Sequence, residues 1–155
     1  MEINSEGTRL LSHYEYEKAI PFFKRSYELN PGAPNPVNNL ALCYFISGNV
    51  DEALKVQRDY LKKNFFLPSF GLANLAMFLL FKGEEDAALN AVYVAASQDK
   101  ITLDASLKIA EMFARLHRYH DLFQFVYSSL YLDAPQMAFC AGVAAANAGS
   151  NDLAI

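Results

Sequence analysis

The chain has 155 residues, 53% of them hydrophobic, and its 13 basic and 17 acidic side chains leave a net charge of −4. That is enough apolar material for one domain with a sizeable core and argues against disorder, while the acidic balance excludes a basic face for a nucleic-acid backbone. The imbalance is local, since residues 1–67 carry eight charges of each sign and residues 68–155 carry five basic and nine acidic ones.

The opening stretch MEINSEGTR has early acidic residues and no apolar segment, so it predicts neither a signal peptide nor a transit peptide, and cytoplasm is the expected compartment. The longest apolar runs, such as LAMFLLF at Leu75 to Phe81, are too short to span a bilayer. Two series of small residues set a period. Gly7, Ala41, Ala76, Ala110 and Gly142 follow one another at 34, 35, 34 and 32 residues, and Ala19, Ala53, Ala88, Leu122 and Ala154 keep the same spacings. A fixed period of that length predicts a repeat architecture. Apolar residues recur at three- and four-residue steps around each marker, so every unit reads as two amphipathic helices joined by a short turn. Gly or Ala stands where backbones approach closely, and Tyr44, Leu79 and Phe113 fill the space one turn later.

In the first unit, residues 1–33, Pro21 lies inside the second helix, where it removes a backbone donor and predicts a bend or a late helix start. LNPGAPNP at Leu29 to Pro36 closes this unit, with Asn35 and Pro36 expected as N-cap and first-turn residue of the next helix. In the second unit, residues 34–68, Gly48 is expected to end the first helix in the left-handed conformation, with Asn49 and Glu52 as a capping box. Cys43, and later Cys140, stand alone without a CxxC, which predicts buried thiols and neither a zinc site nor a disulfide. Lys55, Arg58 and Lys62 make a basic stripe answered by Asp51, Glu52 and Asp59, a solvated face with local ion pairs.

The third unit, residues 69–102, repeats the turn at Gly83, where GEEDAAL echoes GNVDEAL. The fourth, residues 103–135, contains LHRYHD, whose His117, His120 and Asp121 are metal-ligand types; a solvated inter-helix turn accounts for them, and no metal is expected. QDKITLD and LDAPQ supply turn chemistry near residues 100 and 134. From residue 136, MAFCAGVAAANAG begins a fifth unit, and GSNDLAI at Gly149 to Ile155 is a third echo of the turn. This last helix is apolar on all sides while its partner has barely begun at Ile155, so the unit reads as truncated. The helix is expected to be covered by further repeats of a longer chain or by a second copy, through Met137, Phe139 and Val143.

Val37, Leu40, Ala41 and Tyr44 in the second unit, and Ala19, Phe23, Ser26 and Pro31 in the first, have the spacing of a known motif. The chain resembles the tetratricopeptide repeat family over essentially its whole length. It departs from the motif at Gln57, where an aromatic is usual, and at Leu122, which replaces an Ala. The resemblance implies an all-α, right-handed solenoid of helix-turn-helix repeats that works as a protein-interaction module. Pentatricopeptide repeats are similar in length and bind RNA, but the acidic balance argues against them.

The resemblance places the first helices on a concave face. Its groove positions are Asn35, Asn38, Asn39, Leu42, Phe45 and Ile46 in the second unit and Phe70, Ala73, Asn74, Met77, Leu80 and Phe81 in the third. Asn39 and Asn74 are equivalent and 35 residues apart. Similar asparagines in the family hold peptide backbone, because an amide both donates and accepts; the competing reading makes them ordinary polar helix positions. A family clamp for chaperone-tail carboxylates needs Lys and Arg beside the Asn, but the corresponding places hold Asn4, Thr8, Phe70 and Asn74, and it is rejected. Leu42, Phe45, Met77, Leu80 and Phe81 would instead line a largely apolar groove for a helix or strand, with Leu80 and Phe81 also candidates for the core. The groove also resembles that of bacterial chaperones that shield hydrophobic secretion substrates. No nucleophile stands with a base and no phosphate loop occurs, so neither catalysis nor a cofactor is expected. The expectation is capture of a protein or peptide segment, with Asn39 and Asn74 on its backbone and Leu42, Phe70 and Met77 on its side chains; self-association is the alternative.

Overall fold

The computed structural model describes residues 2–64 and 68–152. Among them it forms helices throughout: α1 (Glu2–Ser12), α2 (Tyr16–Leu29), α3 (Pro34–Ile46), α4 (Val50–Lys63), α5 (Ser69–Phe81), α6 (Glu85–Ala96), α7 (Leu103–Arg115), α8 (Tyr119–Ser128) and α9 (Pro135–Asp152). Successive helices pack as antiparallel hairpins stacked into an all-α solenoid. The first helices α3, α5, α7 and α9 touch in succession, and each second helix rests on the two first helices beside it. The row of first helices is therefore the tighter, inner layer.

Small residues make that packing possible. Ala41, Ala76 and Ala110, and Ala19, Ala53 and Ala88 in the second helices, are all buried. A Cβ added at Gly7 would stand 2.9 Å from Cε1 of Phe23, so α1 approaches α2 at a distance only glycine allows. One cluster around Leu10, Phe23, Leu40 and Cys43 closes the first end. A longer one runs from Val37 through Phe78 and Phe113 to Met137.

Each hairpin turns through one geometry. Gly48 and Gly83 have φ of 83° and 79°, and Tyr14 and His117, at the equivalent places in the first and fourth hairpins, have φ of 62° and 54°. In each case the next residue donates its N–H back into the last helical turn, from Glu15 to Leu10, Asn49 to Tyr44, Glu84 to Leu79 and Arg118 to Phe113. Free helix carbonyls are satisfied this way, and the left-handed residue is required whatever its side chain.

Several local expectations are corrected. Asn49 forms no side-chain cap, so the Asn49–Glu52 capping box is absent. At φ −89° and ψ 62° it lacks the extended conformation that points a capping oxygen at the following N–H groups, because its own N–H is committed to closing the preceding turn. Thr102 does cap, accepting from the Ala105 N–H at 3.3 Å. Helix α3 begins at Pro34 after Ala33, and Asn35 lies inside its first turn, where prolines lose no hydrogen bond. Helix α2 starts at Tyr16, so Pro21 causes no late start. Helix α9 continues through Gly149 to Asp152, so the third echo does not end it. Gly142 is exposed with no atom within 4 Å of a Cβ position, unlike the earlier markers. Ala154 and Ile155 lie outside the described residues.

Candidate partner-binding groove

The N-terminal turns of α1, α3, α5 and α7 surround an open groove of about 560 Å³ on the inner layer. Asn4 and Thr8 of α1, Asn35, Asn38 and Asn39 of α3, and Ser69 and Phe70 of α5 line it, with Lys100, Thr102 and Asp104 at the far rim. The structure thus brings together four of the residues expected from sequence, Asn35, Asn38, Asn39 and Phe70. It does so because helix-start positions repeat from one hairpin to the next and share one edge of the layer.

The walls mix asparagine, serine and threonine side chains with the apolar surfaces of Pro34, Pro68, Phe70 and Ala105, and two of the buried polar atoms behind them lack a partner. Asn38 accepts from Nε2 of Gln57 at 3.2 Å, a fully buried bond that fixes the Asn38 amide from behind. Gln57 occupies the place of the usual aromatic and reaches between α3 and α5, where a Cβ on Gly71 would stand 2.8 Å from its Nε2. The oxygens Asn4 Oδ1 and Ser69 Oγ are buried without a hydrogen-bond partner. Unpaired buried atoms of this kind cost stability, whereas the accessible hydrogen-bonding groups of the wall are those of Thr8, Asn35 and Asn39.

Other expected contacts lie elsewhere. Asn74 is only 1% exposed and is not on the groove wall; its Oδ1 has no partner. The packing of α7 against α5 puts this third-unit position inside, whereas its counterpart Asn39 stays half-exposed. Leu42 and Met77 are half-buried, and neither lines the groove. Phe45 and Leu80 pack on the core, but Phe81 is 70% exposed, with its ring edge-on to Phe45 at 5.2 Å. The apolar residues thus form a ledge at the turn end of the layer, and the groove itself is amide-rich. Of the proposed self-association residues, Met137 is completely buried against α7 and α8, Val143 is half-buried, and Phe139 is 73% exposed.

Lys108 carries no motif that would mark it in the sequence. It lies one residue before Ile109, as Asn39 precedes Leu40 and Asn74 precedes Leu75, so the same register places it on the inner layer. Its Nζ stands 5.0 Å from the centre of the Phe70 ring, and burial pushes its pKa down from the ordinary lysine value. His117, His120 and Asp121 do not converge on a metal site. His117 meets the Tyr119 hydroxyl at 3.2 Å, while Asp121 accepts from Tyr93 and Arg118 at 2.7 Å each. Among the described residues no group of three His, Cys, Asp or Glu side chains is placed to hold a metal, and no helix is long and apolar enough to cross a membrane. Lys55 and Arg58 make long surface ion pairs with Glu52 and Glu84, at 3.7 and 3.8 Å.

Residues 10–65 match the family model described as tetratricopeptide repeat. That segment is a tetratricopeptide-repeat segment. Over nearly its whole length the chain also shares its fold with solved tetratricopeptide-repeat structures. It is similar to TTC0263, a thermophilic TPR protein of Thermus thermophilus, at 19% identity over 97% of this chain and 84% of that one, with a TM-score of 0.70. It is also similar to MamA, at 16% identity over 94% of this chain and 86% of that one, with a TM-score of 0.63. A third likeness is to YrrB, described as a TPR protein with an unusual peptide-binding site, at 17% identity over 93% and 75% of the two chains and a TM-score of 0.58. At these identities the likeness is one of fold. No curated protein sequence matches the chain. The tetratricopeptide fold is that of a protein-interaction scaffold.

Proposed function

We propose that this repeat protein holds an extended segment of a partner protein in the groove at the N-terminal ends of α1, α3, α5 and α7, and that it performs no catalysis itself. The observation that carries this reading is the groove wall, where Asn4, Thr8, Asn35, Asn38, Asn39 and Ser69 line one open space of about 560 Å³. An extended peptide presents an N–H or C=O at every residue, which is the chemistry such a wall satisfies. Phe70 supplies an apolar contact for one side chain. A pull-down with the intact protein tests this against the double variant Asn39→Ala/Phe70→Glu, with helicity matched by circular dichroism. Proteins retained by the wild type and lost by the variant support the groove. Identical retention by both sinks it.

A second reading is self-association through α9, supported by the exposure of Phe139. Light scattering across a concentration series tests it, and a strict monomer would exclude it. Shielding of hydrophobic secretion substrates is less well supported, since asparagines from two helices line the groove and the apolar ledge near Phe81 lies at the opposite end of the helices.

A further inference from the structure

The inner surfaces of α3 and α5 carry no charge, because neither PNPVNNLALCYFI nor SFGLANLAMFLLF contains an ionisable acid or base apart from a cysteine and a tyrosine. Helix α7 next to them carries Asp104, Lys108, Glu111 and Arg115. Glu111 pairs with Arg115 at 2.8 Å. Asp104 and Lys100 are both exposed at the groove rim, one of each sign. Lys108 is different. It is half-buried, it makes no ion pair or hydrogen bond among the described residues, and it stands beside the groove and not on its wall, one turn beyond Asp104 and Ala105, with its ammonium over the ring of Phe70, a groove residue. Helix α9, on its other side, has no charged residue before Asp152.

An ammonium withdrawn from water without a counter-ion is costly, and the face of one aromatic ring replaces only part of its hydration. Burial accordingly favours loss of the proton, with only a weaker opposing influence from Glu111. A carboxylate brought to this point would remove the penalty and gain a charge-assisted hydrogen bond in a poorly hydrated setting.

We propose that Lys108, held in place by Phe70, receives the carboxylate of an Asp or Glu side chain in the bound segment, so that the groove selects an acidic sequence. This rests on the reading of the groove as a partner site. It also explains why an acidic protein keeps an unneutralised cation among neutral inner helices, since the charge is completed by the ligand.

The test selects binders of the intact protein from phage-displayed random dodecapeptides, then measures synthetic versions by fluorescence anisotropy. Selected peptides are expected to share an Asp or Glu at one position. Changing that residue to the matching amide weakens binding by about tenfold, whereas amidating the C-terminus leaves it within about twofold. Lys108→Met, of similar length and without the charge, binds acid and amide peptides within about twofold of each other, and Lys108→Arg restores the preference. Circular dichroism and urea unfolding establish that both variants are folded. Dependence on the terminal carboxylate alone, or an acid preference that survives Lys108→Met, overturns the assignment. Side-chain amide resonances of Asn35 and Asn39 separate the two levels. If peptides shift them but show no acid preference, the Lys108 assignment falls and the groove stands. If binders leave them unmoved, or no binder is recovered, both fall.

Discussion

Replacing Gly71 by Ala sets two physical effects against each other. Inside a helix, Ala is favoured over Gly by about 1 kcal/mol, so propensity alone predicts a more stable protein. Packing predicts the reverse. The new methyl would lie 2.8 Å from Nε2 of Gln57 and 3.4 Å from Oδ1 of Asn38, the two atoms joined by a buried hydrogen bond of 3.2 Å. Gln57 is fully buried and its Oε1 is already without a partner, so the amide cannot retreat to a better-satisfied position without dragging α4 away from α3. Losing a buried bond and stranding its partners costs about 1–3 kcal/mol, which leaves Gly71→Ala destabilised by about 1 kcal/mol net. Urea unfolding followed by circular dichroism reads the difference. A double-mutant cycle isolates its cause, because in a Gln57→Ala background the space is free and Gly71→Ala is then expected to stabilise by about 1 kcal/mol. If Gly71→Ala stabilises the protein with Gln57 intact, the close approach of α5 to the Asn38–Gln57 pair is wrong.

Gly83→Ala should cost about 1 kcal/mol in the same assay although nothing lies within 4 Å of the added Cβ, since the penalty is that of the left-handed backbone; Gly83→Asn should cost less, and equal stability of all three would refute the turn. Burial pushes the Cys43 thiol from its ordinary 9.0 up to about 11, so the fold favours the neutral thiol. This contribution is complete below pH 9.0 and is lost as pH rises toward about 11, a loss of roughly 2–3 kcal/mol that should be absent in Cys43→Ala. Pulse labelling with a thiol reagent near neutrality should modify the half-buried Cys140 before Cys43, and the opposite order would contradict the packing at α3. If α9 mediates self-association, Phe139→Glu should shift sedimentation toward monomer with unchanged helicity, and no shift would remove that surface from consideration.

The hairpin repeat was legible in the sequence because packing imposes it. A helix pair can nest against its neighbours only where Gly or Ala admits them, and those residues keep the period from Gly7 to Ala110. The left-handed turn could be read at Gly48 and Gly83 but not at Tyr14 and His117, where the same carbonyls demand the same geometry from residues that give no compositional signal. The register needed to find it was present in the spacing. The groove was legible in part for a related reason. Position along a helix tells which face a residue shares, which assigned Asn35, Asn38, Asn39 and Phe70 to one surface. It does not tell what a neighbouring helix covers, which is why Asn74 and Met137 look available in sequence and are buried in the fold. Gln57 appeared as a departure from the repeat motif, and only the contact with Asn38 gives that departure a role.

Photo-crosslinking tests the central claim most directly. A benzoylphenylalanine placed at Asn39 on the groove wall, and in a second variant at Lys55 on the outer helix α4, would be irradiated in cells expressing each protein. Capture of a partner from position 39 and not from position 55, with the crosslink mapping to an extended segment of that partner, is the result expected. Capture from position 55 alone, or equally from both, would contradict a binding site on the inner layer.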